Sequence, residues 1–342
     1  MADPKAKMVQ VSVVIPTYNC AAYLADALQS VYQQTLKNME VVVVDDGSND
    51  NTLDVIAPWR DRIVYIEQER AGVAAARNAG IAASTAPYVA FLDADDVWLP
   101  AKLEMQVAAL ESKQDAGMAC TDFSVLYDDG KRTHSFFSGN PPLADRDLFI
   151  RMVENCFAFP SVVMIRRDVL QRCGVFDTSA GVAEDMNLWL RVAHDYKVAI
   201  VPKVLCVKRE RLAAVLLHPE HQVPAGEANC AKPEREGRGR PYELTVTAEI
   251  GALQKVLSSF PAMAEPRRRA VRRQIGKLQC DFGKYLLMQD QQRRSRETLA
   301  RALRSRPLRA ATLFALTLCP TGIFRSVRRL KRSFMVFRER SI

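Results

Sequence analysis

Residues 86–98 read APYVAFLDADDVW, an apolar run that stops abruptly at three carboxylates, Asp93, Asp95 and Asp96. Tyr88 to Leu92 suit a buried strand, because short unbroken apolar runs are typical of parallel sheets covered on both faces. The carboxyl end of such a strand is where open α/β sheets bind ligands. Carboxylates this close repel one another unless a cation or solvent intervenes. Hard oxygen ligands suit Mg²⁺ or Mn²⁺, ions that commonly bridge one or two carboxylates to substrate phosphates. The alternative for the same residues is a solvated acidic turn capping a helix that starts near Pro100. Two more polar clusters follow apolar runs: Pro16-Thr17-Tyr18-Asn19, and Asp45 to Asp50 (DDGSND). Asp46 offers acceptors to a base or ribose while Gly47 lets the chain turn tightly; capping and turn formation is again the alternative.

The elements that must carry these clusters are legible as a βα alternation. Val11 to Pro16 reads as a strand, followed by a helix from about Ala21 to Gln34. Glu40 to Val44 is a second strand, with a helix from about Thr52 and a third strand at Ile63 to Ile66. Gly72 to Ala83 reads as a small-residue helix and Tyr88 to Leu92 as the fourth strand. Such alternation predicts a mostly parallel, doubly wound sheet, which brings all three polar clusters to one edge. A helix pattern over 101–112 follows, then a mixed stretch over 115–165, a helix over 184–196 and a strand-like VAIVP. Residues 218–241 hold four prolines and three glycines, the composition of a linker or mobile loop, and the pattern after 242 is helical and Arg-rich.

The segments VSVVIPTYNCAAYLADALQSVYQQT, EVVVVDDGSNDNT, AGVAAARNAGIAAS and YVAFLDADDVWLP, in this order and spacing, resemble glycosyltransferase family 2 over about residues 9–210. The resemblance implies the GT-A nucleotide-sugar fold, and the helical pattern after 242 adds a C-terminal helical region beyond it. It implies that Pro16, Thr17, Tyr18, Asn19 and Asp46 line the nucleotide pocket, and that Arg77 and Asn78 lie near the uracil or diphosphate. Asp93 and Asp95 match the DxD element, with Asp95 on the divalent metal (Mn²⁺ or Mg²⁺), Asp93 toward the ribose or metal, and Asp96 nearby. Glu184-Asp185 match the ED motif. By that likeness Asp185 is the base that deprotonates the acceptor hydroxyl, with Glu184 its neighbour, and direct displacement inverts the anomeric centre. Alone, the same pair reads as acidic charge favoured at a helix N-terminus. The expected activity is inverting transfer from a nucleotide sugar, most simply a UDP-sugar, to a glycan or lipid-linked acceptor in polysaccharide assembly. One departure is CVKRERLAAVLLH where the family often carries Arg-x-His. Lys208, Arg209 or Arg211 are substitutes there, and His218 and His221 read as a solvated loop. Trp98 and Trp189 read as packing residues near the site.

The DADDV pattern also fits a haloacid-dehalogenase-like phosphatase with Asp93 as nucleophile, a reading that leaves PTYN and DDGS unexplained. A non-catalytic nucleotide-sugar-binding module is the other alternative, opposed by the intact Asp93, Asp95 and Asp185. Composition bounds the rest. The chain of 342 residues is 48% hydrophobic and 25% charged, as expected of an ordinary globular protein with a sizeable core. Its eight cysteines form no C-x-x-C pair, so reduced thiols in the cytoplasm are expected. The N-terminus lacks the apolar core of a signal peptide, and Ala310 to Cys319 is about half the length of a spanning helix. The net charge of +9 is unevenly held: −8 over residues 1–231 and +17 over 232–342. The sequence thus divides into a GT-A domain over 1–215, a linker over 216–241 and a basic helical region over 242–342. Residues 300–342 have the composition of a helix drawn to an anionic membrane, which predicts peripheral attachment at the inner leaflet; packing on the catalytic domain is the alternative. No nucleic-acid module accompanies the charge.

Overall fold

The computed structural model describes residues 8–127, 129–139, 147–210 and 240–318. It contains two compact units, divided between residues 239 and 240. In the first unit eight strands form one sheet in the order β3-β2-β1-β4-β7-β6-β8-β5. The strands β1 (Val11–Thr17), β2 (Met39–Asp45), β3 (Val64–Glu67) and β4 (Tyr88–Phe91) run parallel. Their links are α1 (Ala21–Tyr32), α2 (Thr52–Ile56) with a 3₁₀ turn over Ala57–Arg62, and α3 (Val73–Ala83). Val13, Val14, Ile15 and Val42 to Val44 are fully buried, as a strand covered on both faces requires. Here α3 lies directly on β1: a Cβ on Gly80 would stand 2.3 Å from Val14 Cγ1. Any larger residue would push the helix off the sheet.

Register delivers the polar clusters to one edge. Thr17 lies opposite Asp45, and Asp45 opposite Glu67. The Leu92 N–H donates to Val14 O at 3.0 Å, which sets the carboxylate turn beside the end of β1. The chain adds β2 and β3 on one side of β1 and β4 on the other, so the order reverses there. A reversal of this kind opens a crevice at the carboxyl ends of the strands.

The stretch over 115–165, mixed in its sequence pattern, holds two more strands. β6 (Ala116–Tyr127) is buried over its first ten residues although it contains Thr121, Asp122 and Ser124, and these polar residues break the apolar run that would have marked it. β7 (Val163–Arg166) pairs antiparallel with both β4 and β6. Between them lie two short helices, α5 (Phe136–Gly139) and α6 (Leu148–Glu154), and α7 (Arg167–Cys173) follows β7. α8 (Glu184–Asp195) follows a 3₁₀ turn, and β8 (Lys197–Glu210) runs parallel to β6 and antiparallel to the two-residue β5 (Val97–Trp98). α4 (Lys102–Ser112) covers this half of the sheet. The sheet is therefore mixed and mostly parallel, flanked by helices.

The second unit is built of helices joined by short turns over its described length. It comprises α9 (Arg240–Ser259), α10 (Glu265–Met288), α11 (Gln292–Ala302) and α12 (Pro307–Leu318). Val246, Phe282 and Leu286 form one apolar cluster, and Cys280, Ala302 and Ala310 another. The linker expected over 216–241 and the end of the basic tail, 319–342, lie outside the described residues, apart from the first residues of α9. No helix among the described residues is long and apolar enough to cross a membrane.

Candidate active site

The carboxylate turn after β4 is held from behind. The Ser161 hydroxyl donates to Asp96 Oδ2 at 2.6 Å and accepts from the Asp93 N–H at 3.0 Å. The Arg209 N–H donates to Asp96 Oδ1 at 3.0 Å. Asp96 is 2% exposed, and burial, then Asp95 and Asp93, push its carboxyl well above the usual range. Asp96 therefore fastens the turn to the 3₁₀ segment Pro160–Val162 and to β8. Asp93 in the same turn is half-buried and Asp95 is 8% exposed. Replacing Ser161 by alanine removes one of the two partners of a buried carboxyl. The expected cost is about 1–3 kcal/mol, read as a lower midpoint in denaturant unfolding.

Arg77, on α3, is buried and joins two clusters. Its Nη2 donates to Asp93 Oδ1 at 2.7 Å and its Nη1 to Glu184 Oε1 at 2.8 Å. Burial opposes the charge, but Asp93 and Glu184 outweigh it and hold the guanidinium firmly protonated. Glu184 and Asp185 form the first turn of α8, where the helix dipole favours acids. Burial, then the neighbouring Glu184, push the Asp185 carboxyl up to about 7; Arg77 and the Met186 N–H on Asp185 Oδ1 pull the other way. Neighbouring Asn78 turns to the loop before α8 and grips the Phe176 backbone with both amide atoms, at 2.8 and 3.0 Å. Arg77 thus faces carboxylates and Asn78 a loop backbone.

The loops after β1 and β2 are laced together. Asn19, at a left-handed φ of 49°, donates its N–H to Ser48 Oγ and accepts the Asn49 N–H on Oδ1. The Ala21 N–H reaches Asp50. Asp45 accepts from the Ser48 N–H and the Tyr65 hydroxyl. Asp46, 4% exposed, accepts three hydrogen bonds at 2.8 Å: Gln68 Nε2 and the Ala71 N–H on Oδ1, the Gly72 N–H on Oδ2. Gly47 has φ +79°, and a Cβ there would stand 3.2 Å from Arg70 N. Pro16 and Thr17 are buried and Tyr18 is half-buried, with the Arg70 guanidinium 4.1 Å from its ring centre.

Three buried polar atoms in this edge have no hydrogen-bond partner among the described residues: Thr17 Oγ1, Arg77 Nε and Glu184 Oε2. Unpaired buried groups are rare in folded proteins, and each calls for an explanation such as an ordered water or a bound ligand. The basic residues of β8 are less available. Arg209 reaches back to Asp26 of α1 at 2.6 Å, and Lys208 is 3.2 Å from Glu210 and 5.0 Å from the Phe159 ring centre. Arg211, His218 and His221 lie outside the described residues. Trp98 and Trp189 are fully packed, 2% and 0% exposed.

Among the described residues no three His, Cys, Asp or Glu side chains converge as a metal cluster. That donor set still fits Mg²⁺ or Mn²⁺, which take one or two carboxylates and complete their shell with substrate phosphate and water. Asp95, with Asp93 oriented by Arg77, supplies that number. Ser161, Gln68 and Arg70 belong to this edge and carry no sequence motif; only their place in the fold identifies them.

Residues 12–174 match the profile described as Glycosyl transferase family 2. Among relatives, the glycosyltransferase alr2836 of Nostoc, uncharacterized, is 39% identical over 217 residues, 61% of this chain and 65% of its own length. TuaG of Bacillus subtilis, a glycosyltransferase assigned to teichuronic acid biosynthesis, is 32% identical over 185 residues, 53% of this chain and 70% of its own. The Escherichia coli enzyme WfgD, a UDP-Glc:alpha-D-GlcNAc-diphosphoundecaprenol beta-1,3-glucosyltransferase, is 28% identical over 193 residues, 56% of this chain and 72% of its own. The chain spans 34% to 65% of the length of the first curated relatives it matches. Among solved structures, Staphylococcus aureus TarS 1–349 with UDP-GlcNAc aligns with a TM-score of 0.55 at 16% identity, over 93% of this chain and 92% of that one. The mannosyltransferase PcManGT of Pyrobaculum calidifontis, in complex with GDP-Man and Mn²⁺, aligns with a TM-score of 0.56 at 20% identity, over 97% and 84%. At these identities the likeness establishes the fold, which is GT-A. Sequence and fold agree on the conclusion that the chain belongs to glycosyltransferase family 2.

Proposed function

We propose that the protein transfers a glycosyl group from a UDP-sugar to a hydroxyl of a glycan or lipid-linked acceptor, with inversion at the anomeric carbon. The observation that carries this reading is Asp185. A buried carboxyl raised to about 7 is matched to a general base working near neutral pH. Inversion requires the base on the face opposite the departing diphosphate. Arg77 ties Asp185's neighbour Glu184 to Asp93 through one guanidinium, so base and donor carboxylates move as one unit. Arg77 and Asn78 act as positioning residues in this scheme, Arg77 through the two carboxylates and Asn78 through the loop at Phe176.

Pro16 to Asn19 and Asp46 line the nucleotide pocket. Asp46 Oδ1 already accepts two hydrogen bonds and Oδ2 one. A carboxylate oxygen has two acceptor positions, which leaves a single one on Oδ2. Uracil presents one N–H on its pairing edge and guanine two donor groups, so the count favours UDP. The UDP-GlcNAc in TarS and the UDP-glucose donor in WfgD's name support the same choice. Asp95 and Asp93 would hold Mn²⁺ or Mg²⁺, which when bound neutralises the diphosphate leaving group as a Lewis acid. The Mn²⁺ in PcManGT supports a metal here. A diphosphoundecaprenol acceptor in WfgD supports a lipid-linked acceptor and work at the cytoplasmic face of the membrane, in polysaccharide assembly.

Purified protein screened against a panel of nucleotide sugars, with Mn²⁺ and with chelator, tests the reading. One UDP-sugar is expected to bind and be slowly hydrolysed with metal, and binding of none would overturn the proposal. The pH dependence follows from Asp185, which must be deprotonated to accept the acceptor's proton. kcat/KM is therefore expected to be low at pH 5.5–6 and to rise through an apparent pKa of about 7. A flat profile from pH 5 to 8 would remove Asp185 from the role.

A further inference from the structure

The last described helix, α12, turns Leu308, Leu316 and Leu318 to solvent, while Leu313 and Phe314 are half-buried on the side of the unit's core. Its two buried positions are small, Ala310 and Thr317. Leu308 is 86% exposed, Leu316 40% and Leu318 62%. At helical spacing Leu308 is centred on an exposed face with Ala311, Thr312 and Ala315, and Leu316 and Leu318 lie at its two edges. A helix lying on a water-soluble core normally carries charge on that side. This one carries none at its centre.

The charge sits around the face, and it has one sign. No Asp or Glu occurs between Glu297 and Glu339, while the same interval holds ten Lys and Arg. Of these, Arg301 and Arg304 are exposed at the end of α11, and Arg309 on α12 is half-exposed beside Asp281. Twelve residues rise about 18 Å, too short to span a hydrocarbon core of about 30 Å. Leucines on one side with arginines at the flanks suit a helix lying in the membrane interface.

We propose that the outer face of α12 is the surface by which this protein lies on an anionic lipid membrane, leucines in the acyl boundary and flanking arginines on acidic headgroups. A second copy of the chain is a poor occupant, because docking two such faces would bring together two regions that each carry +17. A nucleic acid would use the arginines and leave the leucines in water. The proposal extends the reading of a lipid-linked acceptor by naming the contact surface, and its test is independent of the donor chemistry.

Full-length protein is to be floated with phosphatidylcholine vesicles, with and without phosphatidylglycerol. The comparison includes Leu308→Gln/Leu316→Gln and Arg301→Gln/Arg304→Gln double variants, glutamine being close to leucine in helix propensity. Wild type should float with the anionic vesicles alone. Each double variant should bind them about tenfold or more weakly, with an unchanged unfolding midpoint and unchanged UDP-sugar hydrolysis in solution. Equal flotation of the leucine variant and wild type would overturn the proposal. So would equal binding to neutral vesicles. A lowered unfolding midpoint in the leucine variant would mean that the face is covered within the folded chain, and a dimer that the leucine variant abolishes would mean that it is covered by a second copy; either overturns it. Flotation without any donor hydrolysis would sink the transferase reading and leave this surface standing.

Discussion

Asp185→Asn is expected to lower glycosyl transfer by about 10²–10⁴-fold while raising the protein's stability at neutral pH. The amide has nearly the same shape and keeps an oxygen for the Met186 N–H. It has no basic lone pair that can take a proton near neutrality, so nucleotide-sugar binding should persist while turnover falls. The stability change has the opposite sign. Burial and Glu184 raise the folded carboxyl to about 7 from an unfolded value near 4, so between those values the folded state holds a proton that the unfolded state has released. Stability is therefore lost as pH rises from about 4 through 7, by on the order of 4 kcal/mol for a shift of this size. Asparagine carries no such cost. The variant should melt above wild type at pH 7.5, and the two curves should converge near pH 4. A variant that keeps wild-type turnover would remove Asp185 from the reaction. One that melts lower at pH 7.5 would contradict the buried, proton-holding state.

An acid buried beside another acid is an arrangement that local sequence does not announce, and the same holds elsewhere in the chain. The four parallel strands and their helices were legible because Val11–Ile15, Val41–Val44 and Val89–Leu92 are buried on both faces and read as unbroken apolar runs. The one-edge convergence of PTYN, DDGSND and DADD followed from that parallel order. β6 was not legible, because a strand containing Thr121, Asp122 and Ser124 is buried by partners distant in sequence: Asp122 accepts the Ser135 hydroxyl and the Phe137 N–H. Lys102 shows the same limit. This charged residue at the start of α4 is 0% exposed, donates to Gln106 at 2.7 Å and lies 4.0 Å from the Trp98 ring centre. In the candidate site, the motif residues carry a local sequence signature and their partners do not. Nothing local to Ser161 or Arg209 records that they close on Asp96, 65 and 113 residues away. Nor does local pattern say that Arg77 faces Glu184 across 107 residues.

That last contact sets the largest structural effect to be expected from one substitution. Arg77→Ala leaves Asp93 and Glu184 without their shared cation, and Glu184 is buried beside a second acid. Breaking a buried ion pair from one side costs about 3–5 kcal/mol, so a fall in the unfolding midpoint is expected along with loss of activity. Because that variant confounds folding with chemistry, Arg77→Lys is the sharper probe. An ammonium keeps the charge but lacks the planar fork that meets two carboxylates at 2.7 and 2.8 Å from separate nitrogens. The protein should fold, and kcat/KM should fall by about 100-fold as Glu184-Asp185 and Asp93 lose their common register. The cycle of Arg77→Met, Glu184→Gln and the pair adds a readout that depends on contact. With both partners neutral, no buried charge is orphaned at that end, so the double variant should be more stable than the sum of the single effects by about 0.5–3 kcal/mol. Additive stabilities in that cycle, or wild-type turnover in Arg77→Lys, would show that the guanidinium does not join the donor and acceptor halves of the site.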